Sequence, residues 1–274
     1  MKRNYYAPRG GLPAQSERLY APAVFKTAYA LIPAAVMSDI VTSQLPLWAE
    51  TRAWILARPL SGFAETFAQL IVEVSPGGGS GEPEPDPSGE AVIFVVDGVL
   101  KLTIDGTSHQ LIPGGYAYVA PGADWSIVNV SNETATFHWI RKAYEFVSGI
   151  ETPPSFVTSD QDVAAISMPD THDKWATTRF VDPLDLRHDM NVNIVTFQPG
   201  GLIPFAETHV MEHGLYVLQG SARYLLNEDW VEVGPGDFMW LRAFCPQACE
   251  ATGDEPFRYL LYKDANRHPK LGIG

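Results

Sequence analysis

Short runs of alternating apolar and polar residues, most of them ended by glycine or proline, recur along the chain. The runs AVIFVVDG, which ends at Gly98, and LYVLQG, which ends at Gly220, have the β-branched and aromatic content of strands. A strand–turn–strand pattern follows each run, and in the first copy Asp105-Gly106 is a hairpin turn signal. Long stretches with the 3.6-residue period of a helix are few. The pattern therefore predicts an all-β protein built from antiparallel strands.

This strand pattern occurs twice. Gly98 and Gly220 are 122 residues apart, and the turn glycines Gly114 and Gly236 have the same separation. Before each copy, a β-type run ends in Pro-Gly-Gly. A unit of about 100 residues, the usual size of a small β-sandwich, is thus repeated. We predict two small antiparallel barrels in tandem.

The regions outside the repeats suggest the domain organisation. Residues 1–50 match neither copy, and we interpret them as an extension that wraps the first unit. Segment 75–89 is acidic and rich in glycine and proline, which predicts a loop without a role in the core. The predicted parts are an N-terminal extension (1–50), a first barrel without metal ligands (51–150), a connecting segment (151–185) and a metal-binding barrel (186–274).

Composition limits the partners and the cellular compartment. Thirty-two acidic against 19 basic residues give a net charge of −13, so neither nucleic acid nor a membrane is an expected partner. The most apolar run, 28–37, is shorter than the ~20 residues of a membrane span, and no signal-peptide pattern precedes it. Cys245 and Cys249 form neither a disulfide framework nor a complete zinc site. We expect a cytoplasmic protein.

Candidate metal ligands occur only in the second copy. Glu207 and His209 are two residues apart and would point the same way from an extended strand, and His213 keeps the same parity. One carboxylate and two imidazoles form an open site suited to Mn, Fe or Ni. From spacing alone, two chance histidines and an exposed polar turn that includes Glu212 remain an equally good interpretation.

These residues resemble the metal motif of the cupin superfamily, G-x5-HxH-x3,4-E-x6-G. From Gly201 to Gly220 the chain reads G-x5-ETH-x3-H-x6-G, so carboxylate and imidazole have exchanged places. The histidine of the second cupin motif falls on Gln247. This Glu/His/His/Gln set, within ETHVMEHGLYVLQG and FCPQ and before RYLLYKD, is similar to that of the bicupin (S)-ureidoglycine aminohydrolases. The resemblance extends over about residues 60–268.

The resemblance implies a fold, a cofactor and a reaction. The fold is a tandem cupin, and the reaction is Mn²⁺-dependent hydrolysis of a small ureide, (S)-ureidoglycine, to (S)-ureidoglycolate and ammonia in purine (allantoin) catabolism. Another divalent metal would also suit the site. Because cupins commonly pair through strand edges, a homo-oligomer is expected. The implied metal ligands are Glu207, His209, His213 and Gln247.

The resemblance also implies substrate contacts, which fall on Tyr259 and Lys263. Period two puts these two side chains on one face of a strand. Lys263 is the implied catalytic residue, either holding a carboxylate or passing a proton to departing ammonia. The predicted substrate-binding residues are Gln247, Tyr259, Lys263 and Tyr224.

In the first copy, the equivalents of the four ligands cannot bind a metal. Subtracting 122 places Pro85, Pro87, Ala91 and Trp125 at these positions, with Glu90 as the one nearby carboxylate. Two other functions remain open. A non-catalytic metabolite-binding bicupin is disfavoured by Lys263 and Tyr259, and a metal-dependent cupin oxidoreductase by Gln247 in place of a third histidine.

Overall fold

A computed structural model describes residues 22–37, 42–60, 62–264 and 267. This part of the chain contains a short 3-10 helix at Ala34–Val36 and no α-helix. Nor does it contain a helix long and apolar enough to cross a membrane. The strands are β1 (Val24–Phe25), β2 (Tyr29–Ile32), β3 (Ala49–Ala57), β4 (Ala68–Ser80), β5 (Gly89–Asp97), β6 (Leu100–Ile104), β7 (Thr107–Leu111), β8 (Gly115–Val119), β9 (Trp125–Asn129), β10 (Ala135–Ala143), β11 (Phe156–Ser159), β12 (Ala165–Ser167), β13 (Trp175–Arg179), β14 (Met190–Phe197), β15 (His213–Gln219), β16 (Ala222–Leu226), β17 (Asp229–Val233), β18 (Phe238–Leu241), β19 (Gln247–Ala251) and β20 (Phe257–Asp264).

The strands form two barrels of the same design, which confirms the predicted all-β tandem architecture. The first barrel is one sheet in the order β11-β8-β5-β10-β4-β9-β6-β7, with β3 beside β4. The second combines a sheet in the order β1-β2-β18-β15-β20-β14-β13-β12 with a smaller sheet, β17-β16-β19. Neighbouring strands in both barrels are antiparallel.

The repeat predicted from the sequence is visible in the strands. The bounds of β6, β7 and β9 differ from those of β16, β17 and β19 by 122 residues at both ends. The predicted hairpin turn is also confirmed, since Asp105 and Gly106 both have positive φ, 47° and 78°. Gly98 and Gly220 each have positive φ, and a Cβ would lie within 2.6 Å of the adjoining backbone. Only glycine satisfies both conditions.

Alternating side chains divide the core into three layers. In β5, Ile93 and Val95 fill the first barrel, whereas Val92 and Phe94 point towards the second barrel. The second barrel has its own interior cluster. Between the barrels, Phe67 stacks on Tyr262 with ring centroids 3.9 Å apart. The two barrels therefore pack sheet against sheet.

Each barrel receives a strand from the segment that precedes the other barrel. Strand β2 pairs with β18 of the second barrel, and β11 pairs with β8 of the first. The expectation that residues 1–50 wrap the first unit is therefore wrong for residues 24–32, because β18 offers them a free sheet edge. Residues 42–50 do contact the first barrel, where Ser43 bridges Ala53. Residues 1–21 and 38–41 lie outside the described part, and the domain boundaries remain predictions.

The acidic segment 75–89 is only partly a loop. Strand β4 continues to Ser80, and its last residues pair with β9. Gly79 has a φ of 136°, and a Cβ there would lie 2.1 Å from the Ile127 carbonyl oxygen. The glycines thus allow two backbones to approach closely, and the prediction of a loop without a core role is wrong for residues 75–80.

Candidate metal centre

The predicted metal ligands lie on two segments joined by backbone hydrogen bonds. Glu207, in the connection between β14 and β15, exchanges two hydrogen bonds of 2.9 Å with Gln247, the first residue of β19. The amide of Phe244 donates to the carbonyl of His209 at 2.6 Å. These bonds bring the Glu207–His209 segment beside the beginning of β19, although the two are about 40 residues apart in sequence.

The two histidines occupy the same end of the barrel. The His209 Nε2 atom is 3.4 Å from Glu207 Oε1, and its ring centroid is 5.2 Å from that of His213. His213, the first residue of β15, is buried and bonds through Nδ1 to the Glu212 carbonyl at 2.9 Å, which leaves Nε2 free. Burial, together with His209 and Lys263, lowers the pKa of His213 to about 3. His213 is therefore neutral, the form that binds a metal.

Gln247 is held in place by a buried tyrosine. The Tyr224 hydroxyl donates to Gln247 Oε1 at 2.9 Å, and burial raises the pKa of Tyr224 well above its usual value. The Tyr224 ring makes an edge contact with Tyr259 at 6.1 Å. Because the hydroxyl orients the amide oxygen, Tyr224 and Tyr259 support the wall of the site on the Gln247 side.

Lys263 lies next to His213. The two residues pair directly across β20 and β15, and Lys263 is half-buried. Burial lowers the pKa of Lys263, and the nearby charge of Arg179 lowers it further. The geometry thus places one cation at the same end of the barrel as the four predicted ligands.

The donor set suits a divalent ion in its chemistry. One carboxylate, two imidazoles, of which His213 has a free and neutral Nε2, and one amide oxygen match borderline metals of the first transition row. As the side chains stand, no three His, Cys, Asp or Glu residues in the described ranges converge closely enough to hold a metal ion. The residues fit a metal by type and location.

Comparison with known proteins agrees with this architecture. A family model described as a cupin domain matches residues 70–141 and again 193–262. The (S)-ureidoglycine aminohydrolase of Arabidopsis thaliana is 33% identical over 251 residues, which cover 91% of this chain and 80% of the relative. The protein of that name from Escherichia coli K12 is 30% identical, covering 85% and 87%. This chain belongs to the (S)-ureidoglycine aminohydrolase family of bicupins.

A solved structure is also similar over the whole cupin pair. The crystal structure of a putative glyoxylate induced protein from Pseudomonas aeruginosa has a TM-score of 0.91 and 61% identity to this chain. The match covers 98% of this chain and 99% of that protein. The bicupin architecture, including both barrels, is therefore shared with an experimentally determined structure.

Glu212 is a residue whose role the sequence interpretation missed. Its carboxylate accepts hydrogen bonds from the backbone amides of Glu65 and Thr66, from the Thr66 hydroxyl and from Trp240 Nε1. Glu212 is 6% exposed, so the exposed polar turn considered for it is wrong. Since Glu212 also provides the carbonyl that orients His213, it ties the cupin metal motif to the loop before β4. The repeat was the sequence signal for this role, because Glu212 and Glu90 are 122 residues apart and so occupy equivalent positions.

In the first cupin barrel, the equivalent positions have other roles. Trp125 fills the barrel core against Trp139, with ring centroids 6.1 Å apart. Glu90 points out of the barrel and accepts a 2.7 Å hydrogen bond from the Tyr118 hydroxyl. Burial, and then Asp189, raise the pKa of Glu90 well above its usual value. Metal binding by the second barrel alone remains a prediction.

Proposed function

We propose that this chain is a Mn²⁺-dependent (S)-ureidoglycine aminohydrolase. In the reaction, water adds an oxygen to the α-carbon of the substrate, and the bond from that carbon to the amino nitrogen breaks. The products are (S)-ureidoglycolate and ammonia. The proposal places the enzyme in purine-ureide (allantoin) catabolism.

One observation carries the proposal. The unusual Glu207/His209/His213/Gln247 set lies at one end of one barrel, in a chain 30–33% identical to proteins named for this activity. The exchange of a cupin histidine for Gln247 leaves fewer imidazole donors and favours a harder ion such as Mn²⁺. Another divalent metal that accepts two imidazoles and two oxygens would also satisfy the site.

The metal, held by Glu207, His209, His213 and Gln247, would supply positive charge that orients the substrate and stabilises charge at the reacting carbon. The surrounding side chains do the rest. Tyr224 holds Gln247 Oε1 by a hydrogen bond, and the apolar barrel interior around Tyr259 limits access of bulk water. Tyr259 is the further side chain proposed to contact the substrate.

Lys263 is proposed as the catalytic residue. It points into the barrel and adjoins His213 through strand pairing, so it can reach a group bound beside the metal ligands. A lysine with a lowered pKa can pass a proton to the departing amine and recover it from water. Its charged form can instead hold the substrate carboxylate.

Ammonia release from freshly prepared (S)-ureidoglycine tests the proposal. The purified protein with Mn²⁺ should release ammonia and form the (S)-product, under air and anaerobically, and a chelator should stop it. His209→Ala should abolish turnover, whereas His109→Ala, at a half-buried histidine on β7, should not. A strict need for O₂ would indicate an oxidoreductase, and tight substrate binding without turnover would indicate a binding protein.

We also propose a cytoplasmic homo-oligomer. Both cysteines, Cys245 and Cys249, are free and buried, as expected in a reducing compartment. Large apolar side chains are exposed at Phe146, Leu184 and Leu186, and such surface is typical of protein–protein contacts. Light scattering after gel filtration should give a mass that is a multiple of 30.1 kDa.

A further inference from the structure

Arg179 and Asn193, which are outside the predicted metal set, are among the polar residues that point into the second barrel. In β13, Arg179 is four residues from Trp175, which packs against the barrel interior. In β14, Asn193 is two residues from the interior residue Val195. Because side chains alternate along a strand, Arg179 and Asn193 share the inner face.

Strand pairing puts these residues beside the candidate active site. Arg179 lies directly opposite Asn193, and Asn193 lies opposite Leu261, two residues before Lys263. Lys263 in turn lies opposite His213. Neighbouring strands are about 5 Å apart, so the long Arg179 side chain can reach Lys263 across the inner face of the barrel. The pKa of Lys263 responds to the Arg179 charge, which agrees with this proximity.

The polar groups of this cluster lack partners. Within residues 22–37, 42–60, 62–264 and 267, Arg179 and Lys263 form no ion pair and no side-chain hydrogen bond. Asn193 is 3% exposed, and its Oδ1 atom has no hydrogen-bond partner. Buried polar atoms are normally paired, and two neighbouring cations without an ion-pair partner attract an anion. The cluster is therefore incomplete without a ligand.

The first barrel provides an internal control. Leu261 and Trp139 are equivalent because they are 122 residues apart. Leu70 lies opposite Trp139 as Asn193 lies opposite Leu261, so Asn193 is equivalent to Leu70. Ile55 lies opposite Leu70 as Arg179 lies opposite Asn193, so Arg179 is equivalent to Ile55. The equivalent of Lys263 is Arg141, which forms an ion pair with Glu84. In the first barrel, where no ligand is expected, the side chains at two of these positions are thus apolar, and the charge at the third is neutralised by an ion pair.

We propose that Arg179 and Asn193, beside Lys263, form the subsite that recognises the substrate's carboxylate and ureido groups. The inference rests on the proposed function. The Arg179 guanidinium presents paired N–H donors that match the two oxygens of a carboxylate. The Asn193 Oδ1 atom accepts an N–H of the ureido group. With Arg179 taking the carboxylate, Lys263 is left beside the departing amine.

Two unreactive analogues test the subsite by calorimetry on the Mn²⁺-loaded protein. N-carbamoylglycine has the carboxylate and the ureido group but no α-amine, and N-carbamoylglycinamide replaces the carboxylate with a neutral amide. The wild type should prefer the acid by about 30-fold or more, as expected of a charge-assisted, bidentate contact. Arg179→Met should remove this preference. Asn193→Leu should weaken both analogues about tenfold, because both contain the ureido group.

Control variants make the outcome decisive. Arg223→Met alters an exposed arginine that stacks on Trp230 outside the barrel, and it should preserve the preference for the acid. Arg179→Lys keeps the charge but not the paired donors, and it should reduce the preference for the acid at least fivefold. If Arg179→Met fails to fold or to retain Mn²⁺, Arg179→Lys provides the test. Equal binding of the two analogues by the wild type, or an unchanged preference in the folded Arg179 variants, would overturn the subsite.

Turnover separates this inference from the proposed function. If the wild type releases no ammonia from (S)-ureidoglycine but still prefers the acid analogue through Arg179, the subsite stands and the proposed substrate is wrong. If the wild type turns over and Arg179→Met changes neither KM nor the preference, the proposed function stands and the subsite is wrong.

Discussion

Glu212→Gln should destabilise the protein strongly. Each oxygen of the Glu212 carboxylate accepts two hydrogen bonds: one from Glu65 N at 2.7 Å and Trp240 Nε1 at 2.6 Å, the other from the Thr66 amide and hydroxyl at 2.9 and 2.5 Å. Glutamine replaces one oxygen with an NH₂ donor. In the better orientation this donor faces Thr66, whose hydroxyl can accept from it, but the Thr66 amide loses its acceptor and the bonds to the other oxygen lose their charge. Hydrogen bonds to a charged group contribute about 1.5–3 kcal/mol each, so losing one and weakening the others gives a loss of about 2–4 kcal/mol.

The matched control is Glu90→Gln, at the equivalent position of the first barrel. The described contacts of Glu90 include one hydrogen bond from the Tyr118 hydroxyl, and burial raises its pKa, which favours the protonated carboxyl. Glutamine has the same shape as a protonated glutamate and offers both a donor and an acceptor. We expect Glu90→Gln to cost less than about 1 kcal/mol.

Thermal unfolding of both variants measures the difference. In a chain of this size each kcal/mol shifts Tm by about 2–4 °C, so Glu212→Gln should lower Tm by about 10 °C and Glu90→Gln by only a few degrees. Chelator in both samples removes any contribution from bound metal. Titration with Mn²⁺ should then show a roughly tenfold weaker affinity for Glu212→Gln. The side-chain hydrogen bonds of Glu212 fix the position of its backbone carbonyl, and this carbonyl orients His213. Equal Tm losses in the two variants would refute the reasoning from the hydrogen bonds.

Further predictions concern the metal, the reaction and pH. Elemental analysis should find about one divalent ion per chain, absent in His209→Ala and present in His109→Ala; two ions would contradict a metal-free first barrel. Lys263→Met should keep the metal and reduce turnover at least ~100-fold, whereas near-normal rates would exclude a catalytic role. Gln247→His should bind metal at least as tightly, shift preference towards Zn or Ni and lose most ammonia release; full Mn²⁺ activity would make the amide incidental. The pKa of Glu90 in the folded protein lies above its usual 4.5, so the stabilisation linked to its proton is complete below pH 4.5. This stabilisation is lost as the pH rises through the folded-state pKa. Glu90→Gln should therefore flatten the decline of stability with pH, measured by urea unfolding.

Local patterns were enough to predict the repeat, whereas the candidate ligands came from the resemblance to the cupin motif and remain predictions. The Asp-Gly pair after β6 and the glycine at position 98 predict positive φ at these positions, since few other residues adopt it. The ligand motif is likewise local, apart from Gln247. These features depend on neighbours within a few residues, so a single sequence contains the information that determines them.

Long-range pairing was not predictable in the same way. The sequence from Tyr29 to Ile32 reads as an ordinary short strand, and nothing within it specifies β18, more than 200 residues away, as its partner. Glu212 looked solvent-exposed because three of its four hydrogen-bond donors come from Glu65 and Thr66, in the other half of the chain. Such contacts depend on how the two barrels meet, which strand periodicity does not determine.

The duplicated barrel separates the requirements of folding from those of chemistry. Both copies have the same strand pattern and glycine turns, so the shared features are those that a stable barrel needs. The first copy fills its interior with Trp125 and Leu70, whereas the second has Gln247 and Asn193 at these positions. An unpaired buried amide oxygen such as that of Asn193 destabilises a protein by about 1–3 kcal/mol, a loss that the first barrel avoids with leucine. Since the backbones are equivalent, packing alone would favour the apolar choice in both copies. The polar interior of the second barrel therefore points to a ligand that completes its hydrogen bonds.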